Sequence, residues 1–197
     1  MSELSKLSYW DSLYERDLDI LKESGDIGEI WFGEHVERKV IESIEETCDT
    51  TCKCIDIGCG NGSMTAILSE MGYYCVGVDY SQKSIEMCAI AFPELKFFRD
   101  NILTMNLDEI YNVVVDKGTL DAIYLSRVET DVQLYVLSVL RLLESKGYLF
   151  ITSCNLIKSE LTAIFSDMIL IHEIPYPIFE FGGAKGQCVT SLVFQKQ

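Results

Sequence analysis

The sequence predicts an α/β fold in which helices cover both faces of a seven-stranded, mostly parallel sheet. From residue 52 onward, short apolar runs alternate with longer amphipathic runs, which is typical of parallel βαβ units. Acidic residues also stand at the ends of several apolar runs: Asp56, Asp79, Asp100 and Asp116. Because the carboxyl ends of parallel strands meet at one rim, we expect these acids to converge there.

The elements follow in order from the hydrophobic pattern. Amphipathic runs predict helices over residues 3–24 and 34–46, before the alternating region begins. Strands are then predicted at 53–57, 74–78, 95–99, 111–116, 147–153, 168–174 and 188–195. Helices are predicted between them at 62–71, 81–91, 129–144 and 157–166. We assign residues 1–50 to helices and a flap that cover the active site, and residues 51–197 to the core of one compact domain.

Length and composition restrict the class of protein. With 197 residues, 48% of them hydrophobic, the chain suits one domain with a substantial core. No apolar run reaches the roughly 18 residues that span a bilayer, and the first residues lack a signal-peptide pattern. We therefore expect a cytoplasmic protein that does not enter membranes, and we expect it to act as a monomer.

The charge of the chain argues against one class of partner. A formal net charge of −15 opposes binding to nucleic acid, which requires Lys and Arg to neutralise phosphates. The same charge would attract a basic protein.

The eight cysteines do not indicate disulfides or a metal site. Cys54, Cys75, Cys154 and Cys188 lie in apolar, strand-like runs, where we expect reduced and buried thiols. Cys48 and Cys52 form no C-x-x-C pair and have no nearby histidine, so we expect no metal.

A glycine-rich loop is the most informative local motif. Residues 54–62 read CIDIGCGNG, an apolar strand followed by Gly58, Gly60 and Gly62. Glycine allows positive φ and close approach of the backbone to an anionic or adenosyl ligand, with Cys59 and Asn61 in the same loop. The spacing is G-x-G-x-G, which differs from the G-x-G-x-x-G of nicotinamide-binding Rossmann folds. A tight turn without a ligand is the alternative.

This loop, together with Asp56, Asp79 and Asp100 at the ends of three successive strands, resembles the seven-stranded S-adenosylmethionine-dependent methyltransferases. The resemblance implies a three-layer, Rossmann-like sheet that is mostly parallel and has an antiparallel last strand. It also implies S-adenosylmethionine as the cofactor and assigns Gly58 to Asn61 to its amino-acid part.

Several neighbouring residues are candidates for the cofactor site. We expect Asp56 to order the loop and reach the ammonium group, and Asp79 to accept both ribose hydroxyls. Tyr80 offers a flat face for adenine, and Ser81 follows it as a helix N-cap. The alternatives are an ordinary loop carboxylate for Asp79 and a rim aromatic for Tyr80.

The third strand end and the early flap complete the predicted cofactor site. Asp100 would accept from the adenine amino group, and the backbone N–H of Asn101 or Ile102 would reach a ring nitrogen. Trp31 lies in a short, glycine-bounded segment that suits a flap over the cofactor. The alternatives are a capped strand end and core packing.

Four further motifs indicate which family within this class the sequence resembles. They read GEIWFG at residues 28–33, DKGTLDA at 116–122, ITSCN at 151–155 and FEFGG at 179–183. In this order they look like the lysine methyltransferases that act on translation elongation factor 1-alpha. The resemblance implies a protein-lysine N-methyltransferase with that factor, a basic protein, as its substrate.

The candidate catalytic residues are Asp116, which also borders the cofactor, and Asn155. Methyl transfer needs an aligned donor and a neutral amine, so an acceptor such as Asp116 would orient the lysine. The alternative is that Asp116 caps the strand end or fixes the turn at Lys117 and Gly118. Asn155 could accept from the same amine, although it could equally belong to a polar turn. For Asp121 we expect a structural role, such as an N-cap.

The aromatic residues Tyr9, Trp10 and Tyr14 could wall a lysine channel, although their helical spacing also suits core packing. A small-molecule methyltransferase would share every cofactor residue and remains the main alternative. A methyltransferase-like binding module that lacks turnover is a further one. A nicotinamide oxidoreductase is disfavoured because the glycine spacing differs and no Tyr-x-x-x-Lys pair occurs.

Overall fold

The computed structural model of the protein describes residues 2–105, 107–177, 179–181, 184–186 and 189–197. The strands within them are β1 (Lys53–Ile57), β2 (Tyr74–Asp79), β3 (Lys96–Arg99), β4 (Tyr111–Lys117), β5 (Leu143–Ser153), β6 (Met168–Ile174), β7 (Phe179–Phe181), β8 (Ala184–Gly186) and β9 (Thr190–Lys196). The helices are α1 (Leu7–Ser24), α2 (Glu34–Thr47), α3 (Ser63–Glu70), α4 (Gln82–Ala91), α5 (Thr119–Tyr124), α6 (Glu129–Leu142) and α7 (Lys158–Ile164).

The main sheet confirms the predicted fold class. Within the described ranges its seven strands run in the order β3-β2-β1-β4-β5-β9-β6. Strands β1 to β5 pair in parallel, whereas β9 lies antiparallel between β5 and β6. The strand order reverses between β1 and β4, and ligands of open α/β sheets bind at the carboxyl ends of the strands beside such a switch point.

The register places the strand-end acids on different faces of the sheet. Ile57 of β1 is the register partner of Asp116 in β4, so Asp56 is offset from Asp116 by one residue. Because successive side chains point to opposite faces of a strand, these two carboxylates lie on opposite sides of the sheet. These two carboxylates therefore cannot face one common site, although the loops that follow the strands can still meet at one rim.

Two apolar layers enclose the sheet. One face packs against α6 and α7 through buried Tyr135, Phe165 and Phe194. The other packs against α2 and α3, with Ile44 and Phe150 among its fully buried side chains. Helix α1 lies outside both layers and packs its Leu18 and Leu21 against Met87 of α4. This contact places α1 beside the carboxyl ends of β1 and β2.

The predicted boundaries differ from the structure at a few points. The predicted helix over 3–24 divides into a 3-10 turn, Glu3–Ser5, and α1, because Lys6 between them has an extended backbone. Strand β5 begins four residues before the predicted start, at Leu143. Helix α5 and the β7–β8 hairpin were not predicted, and both are short. Residues 182, 183 and 188 lie outside the described residues, and with them part of the FEFGG motif and Cys188.

The cysteine prediction is confirmed for Cys54 and Cys75, which are free and buried. For Cys154 the predicted free thiol is confirmed, but the predicted burial is wrong, because Cys154 follows the last residue of β5 instead of lying inside the strand. Among the described residues there is no cluster of side chains that could hold a metal. None of the helices in the described part of the chain is long and apolar enough to span a membrane.

Candidate active site

A cavity of about 370 Å³ lies at the carboxyl ends of β1, β2 and β4. Ten residues predicted for the cofactor line it: Trp31, Gly58, Cys59, Gly60, Asn61, Asp79, Tyr80, Asp100, Asn101 and Ile102. Asp56, Ser81, Asp116 and Asn155 are not part of its wall. The cavity wall is thus formed by the loops that follow the strands and by the end of β2. The other two strand acids, Asp56 and Asp116, lie behind this wall.

The glycine loop is bound tightly to its neighbours. The backbone N–H groups of Gly58 and Cys59 both donate to the carbonyl of Val78, at 2.7 and 3.0 Å. Gly58 has φ +71°, and a Cβ there would lie 1.8 Å from Oγ1 of Thr119, which donates to the carbonyl of Ile57. A side chain at this position would therefore collide with the turn after β4, so only glycine allows the loop to pass.

Gly60 faces the cavity beneath α1. Its φ is +55°, and a Cβ there would come within 2.9 Å of the Tyr14 hydroxyl. Tyr14 is partly buried, and burial together with the nearby Asp79 raises the pKa of its phenol well above the usual value. The glycine loop and α1 thus come close to each other at Gly60 and Tyr14.

Asp79, at the end of β2, presents both of its carboxylate oxygens to this region. Oδ2 accepts from the backbone N–H of Gly60 at 3.1 Å, and Oδ1 accepts from that of Ser81 at 2.9 Å. Burial raises the pKa of the carboxyl to about 6, and the two backbone donors oppose that shift. Each oxygen retains a lone pair for a further donor when the group is ionised.

Ser81 supports Asp79 from behind the cavity wall. Its Oγ accepts from the N–H of Ser84, which confirms the predicted N-cap of α4. Its hydroxyl also donates to Asp11 of α1 at 2.5 Å. Ser81 therefore joins α4 to the helix that covers the cavity.

The turn after β3 forms another wall. The N–H of Asp100 donates to the carbonyl of Asp79, and the side chain of Asp100 accepts from the N–H of Asn101 at 2.8 Å. Asn101 in turn accepts from the N–H of Leu103. Of the two backbone donors predicted to reach a ring nitrogen, that of Asn101 is thus engaged within the turn, and that of Ile102 is the remaining candidate.

Asp56 lies on the α3 side of the sheet and is only 2% exposed. It accepts from the hydroxyl of Thr65 at 2.9 Å. Burial raises the pKa of Asp56 to about 7, although Lys117 and the Thr65 hydroxyl lower it. Instead of facing the cavity, Asp56 joins β1 to α3, and it can act on the loop only through that junction.

Asp116 lies on the α6 side of the sheet and is 1% exposed. Its two oxygens accept from the N–H groups of Thr119 and Leu120, at 2.8 and 3.0 Å, and from the hydroxyl of Tyr135 at 2.5 Å. Burial raises the pKa of Asp116 to about 7. The carboxylate thus satisfies the first N–H groups of α5 and fixes the turn that borders the cavity.

The loop after β5 also turns away from the cavity. Asn155 is exposed, and its side-chain amide lies 3.6 Å from the sulfur of Cys154. Asp121 accepts from the Ser153 hydroxyl and, at 2.8 Å, from the N–H of Cys154. The predicted structural role of Asp121 is therefore confirmed, although it holds this loop and is not an N-cap.

Aromatic side chains of α1 and the Trp31 segment form the wall opposite the glycine loop. Trp10 stacks on Tyr14 with a centroid distance of 6.1 Å and meets Trp31 edge-on at 5.5 Å. Tyr9 meets Trp10 edge-on at 5.2 Å, and all four rings line the cavity. The indole N–H of Trp10 donates to the carbonyl of Leu4, which fixes the ring.

The Trp31 segment, residues 28–33, is held closed over the site. The side-chain amide of Asn61 donates to the carbonyl of Glu29 at 3.2 Å. Nζ of Lys117 donates to the carbonyl of Trp31 at 3.0 Å, and the Trp31 ring packs against Gly118. Both the glycine loop and the turn after β4 therefore bind this segment.

Sequence reasoning missed some of the wall. Lys117 lines the cavity, and its side chain is only 12% exposed. Asp131 and Ser126 line it too, with Ser126 donating to Asp131 at 3.3 Å. For Lys117, the available sequence signal was its position directly after Asp116, an acid at the end of a buried strand. No sequence signal marked Asp131, because the unpredicted helix α5 sets the path of the chain to it.

Comparison with known proteins identifies the family of the chain. A family model described as a methyltransferase domain matches residues 48–183. The human EEF1A lysine methyltransferase 2 is 37% identical over 207 residues, which cover 99% of this chain and 87% of that protein. The protein-lysine N-methyltransferase EFM4 of Saccharomyces cerevisiae is 31% identical over 221 residues, covering 100% of this chain and 96% of that protein.

Solved structures share the fold at low sequence identity. The N-methyltransferase NodS from Bradyrhizobium japonicum, in complex with S-adenosylhomocysteine, superimposes with a TM-score of 0.70 at 12% identity. The match covers 95% of this chain and 98% of that one. The chain therefore belongs to the methyltransferase-domain family, alongside the EEF1A lysine methyltransferase 2 proteins and their fungal relatives.

Proposed function

We propose that the protein transfers a methyl group from S-adenosylmethionine to a lysine of translation elongation factor 1-alpha. The observation that carries this proposal is one cavity that joins the glycine loop and Asp79 to the aromatic wall of α1. The relatives named as lysine methyltransferases of that factor support the choice of substrate, since they align over nearly the whole chain.

The cavity wall has the chemistry that an adenosyl amino acid requires. Gly58 and Gly60 let the loop pack against Thr119 and Tyr14, where side chains would collide, and both glycines line the cavity with backbone. The Asp79 carboxylate has lone pairs for two ribose hydroxyls, and Tyr80 and Ile102 supply apolar surface for a base. We assign the methionyl part to Gly58 through Asn61 and the adenine to the turn from Asp100 to Ile102.

When bound, S-adenosylmethionine supplies an electrophilic methyl group on a positively charged sulfur. The protein must align a lysine with it and keep that amine neutral. Lysine has an unperturbed pKa of about 10.4, and desolvation favours its neutral form. The rings of Tyr9, Trp10 and Trp31 exclude water and present aromatic faces that attract the ammonium group and its methylated products.

For the sequence-predicted catalytic residues we propose revised roles. Asp116 acts as a positioning residue, because its oxygens are engaged by α5 and Tyr135 behind the cavity wall. Asp131, which lines the cavity, is the better placed acceptor for the lysine amine. Asn155 lies on the exposed loop after β5, where contact with the substrate protein is the role still open to it.

The roles of the two parts of the chain and the kind of partner follow from the cavity wall and from the net charge. We propose that residues 1–50 act as a cover, since α1 and Trp31 line the cavity while residues 51–197 supply the sheet and its loops. With a net charge of −15, the chain favours encounter with a basic protein substrate. We propose that it acts as a monomer in the cytoplasm, where that substrate functions.

Incubation with isotope-labelled S-adenosylmethionine tests both the methyl transfer to protein and the identity of the substrate protein. In a cell lysate, we expect a labelled protein band that co-migrates with elongation factor 1-alpha, and we expect the purified factor to be labelled as well. A different labelled band would redirect the substrate assignment. Label in the metabolite fraction with no labelled protein would support the small-molecule alternative.

A further inference from the structure

Lys117 and Glu37 form a largely buried pair of charged side chains beside the glycine loop. Lys117 lines the cavity, and its Nζ is 3.8 Å from Oε1 of Glu37, a residue that is 2% exposed. The other oxygen of Glu37 accepts from the hydroxyl of Ser63 at 2.8 Å. Oε1 has no hydrogen-bond partner among the described residues.

The ammonium group of Lys117 is only partly satisfied. It carries three donors, and in the described part of the chain one of them is used, on the carbonyl of Trp31. Burying a charge is costly unless the charge is paired and hydrogen-bonded, and 3.8 Å is too long for a hydrogen bond to Glu37. A largely buried cation with unused donors that faces a cavity is suited to an anion inside that cavity.

The position of Lys117 indicates which anion. It lies between the Trp31 segment and the turn that packs on Gly58, at the part of the wall assigned to the amino-acid portion of the cofactor. The other cavity-lining cation in the described chain, Arg16, has a side chain that is 67% exposed and lies 3.3 Å from Asp17. Lys117 is therefore the less exposed of these two cations and the one available to a carboxylate there.

We propose that Lys117 binds the α-carboxylate of the methionyl part of the cofactor, and that Glu37 is a positioning residue that holds the ammonium group in place. This inference rests on the proposed function, because it requires an adenosyl amino acid in the cavity. It adds a specificity element: the site would select the complete amino acid over analogues that lack the carboxylate.

Calorimetric titration with two ligands tests the proposal without turnover. S-adenosylhomocysteine and its decarboxylated analogue, 5′-adenosyl-3-thiopropylamine, differ only in the carboxylate. The parent protein should bind the first about 10- to 100-fold more tightly, as expected for a hydrogen bond between charged groups. Lys117→Met should bind both with similar affinity, and its affinity for the decarboxylated ligand should stay within about threefold of the parent value.

The matched control is Lys53→Met, which removes the same charge at the opposite end of β1, where Lys53 pairs with Glu109. It should keep the full discrimination between the two ligands. If Lys117→Met also keeps it, or loses affinity equally for both ligands, Lys117 does not bind the carboxylate. Should Lys117→Met fail to fold by circular dichroism, Lys117→Gln, which can still donate to the Trp31 carbonyl, takes its place under the same criteria. If the parent binds neither ligand, the proposed function itself fails.

Discussion

The carboxylate of Asp79 accepts a hydrogen bond from the backbone N–H of Gly60 at 3.1 Å. This bond joins the end of β2 to the glycine loop that follows β1, and thus connects the parts of the wall assigned to the ribose and to the amino acid. The same carboxylate is bound by Ser81 and is 5% exposed. Its geometry is therefore fixed before any ligand arrives.

Replacing Asp79 with Ala should remove most of the affinity for S-adenosylhomocysteine. The variant loses an ionised acceptor for two hydroxyls and a bond to Gly60, and hydrogen bonds to charged groups contribute about 1.5–3 kcal/mol each. We expect a loss of at least about 100-fold by calorimetry. Asp49→Ala, which removes an exposed acid that binds only the Thr51 turn, is the control and should bind as the parent does. Parent-like binding by Asp79→Ala would refute the ribose assignment.

Gly58→Ala should destabilise the fold far more than Gly25→Ala. Both glycines have positive φ, +71° and +80°, but a Cβ at Gly25 meets nothing within 4 Å. Gly25→Ala should therefore cost only the left-handed strain, about 1–2 kcal/mol. Gly58→Ala adds the collision with Thr119, which we expect to cost about 1–3 kcal/mol more. Urea denaturation measures the free energy of unfolding of both variants. Equal losses of stability would show that the turn after β4 moves away from the added methyl group without cost.

The stability of the protein should fall as the pH rises through neutrality. In the folded state burial raises the pKa of Asp56 and of Asp116 to about 7 and that of Asp79 to about 6. The unfolded groups titrate near 3.9, so between these values the folded chain binds more protons. This contribution is fully present below the unfolded pKa and is lost as the pH rises through about 6 to 7.

Asp56→Asn isolates one part of that pH dependence. The amide oxygen can still accept from Thr65, but the group no longer titrates. We expect urea midpoints measured from pH 5 to pH 8 to fall less steeply for the variant than for the parent. Identical slopes would show that Asp56 titrates alike in the folded and unfolded chains.

Asp116 and Tyr135 should behave as a coupled pair. Tyr135→Phe removes one donor, at an expected cost of about 1 kcal/mol. Asp116→Asn keeps one acceptor oxygen but leaves at least one N–H donor of α5 without an acceptor and should cost about 1–3 kcal/mol. The double variant should be less destabilised than the sum, because the two groups share one bond. A catalytic acid that touches the substrate would give another pattern: Asp116→Asn would abolish turnover while the free energy of unfolding stayed unchanged.

The sheet was predictable because its strands are short apolar runs separated by amphipathic helices. Ile55, Val76 and Val114 are fully buried, as a parallel sheet covered on both faces requires. Helix α5 escaped prediction since its six residues are too few to show a hydrophobic period, and its start depends on the side chain of Asp116 and on Gly118 in the left-handed region.

The cofactor wall was predictable for Gly58 and Gly60 in the loop and for Asp79 as the last residue of β2. It was not predictable for Asp56 and Asp116, which lie one residue before the ends of β1 and β4, because a one-residue offset decides which face a side chain occupies. That offset directs Asp56 to Thr65 and Asp116 to Tyr135. Lys117 could not be assigned either, because its partners Trp31 and Glu37 lie far away in sequence.

Peptide mass spectrometry of purified elongation factor 1-alpha, after incubation with the protein and S-adenosylmethionine, tests the proposed function most directly. We expect one, two or three added methyl groups on a lysine with the parent protein, and no modification with Asp79→Ala. Absence of any methylated lysine after incubation with a parent protein that binds S-adenosylhomocysteine would contradict the proposed function.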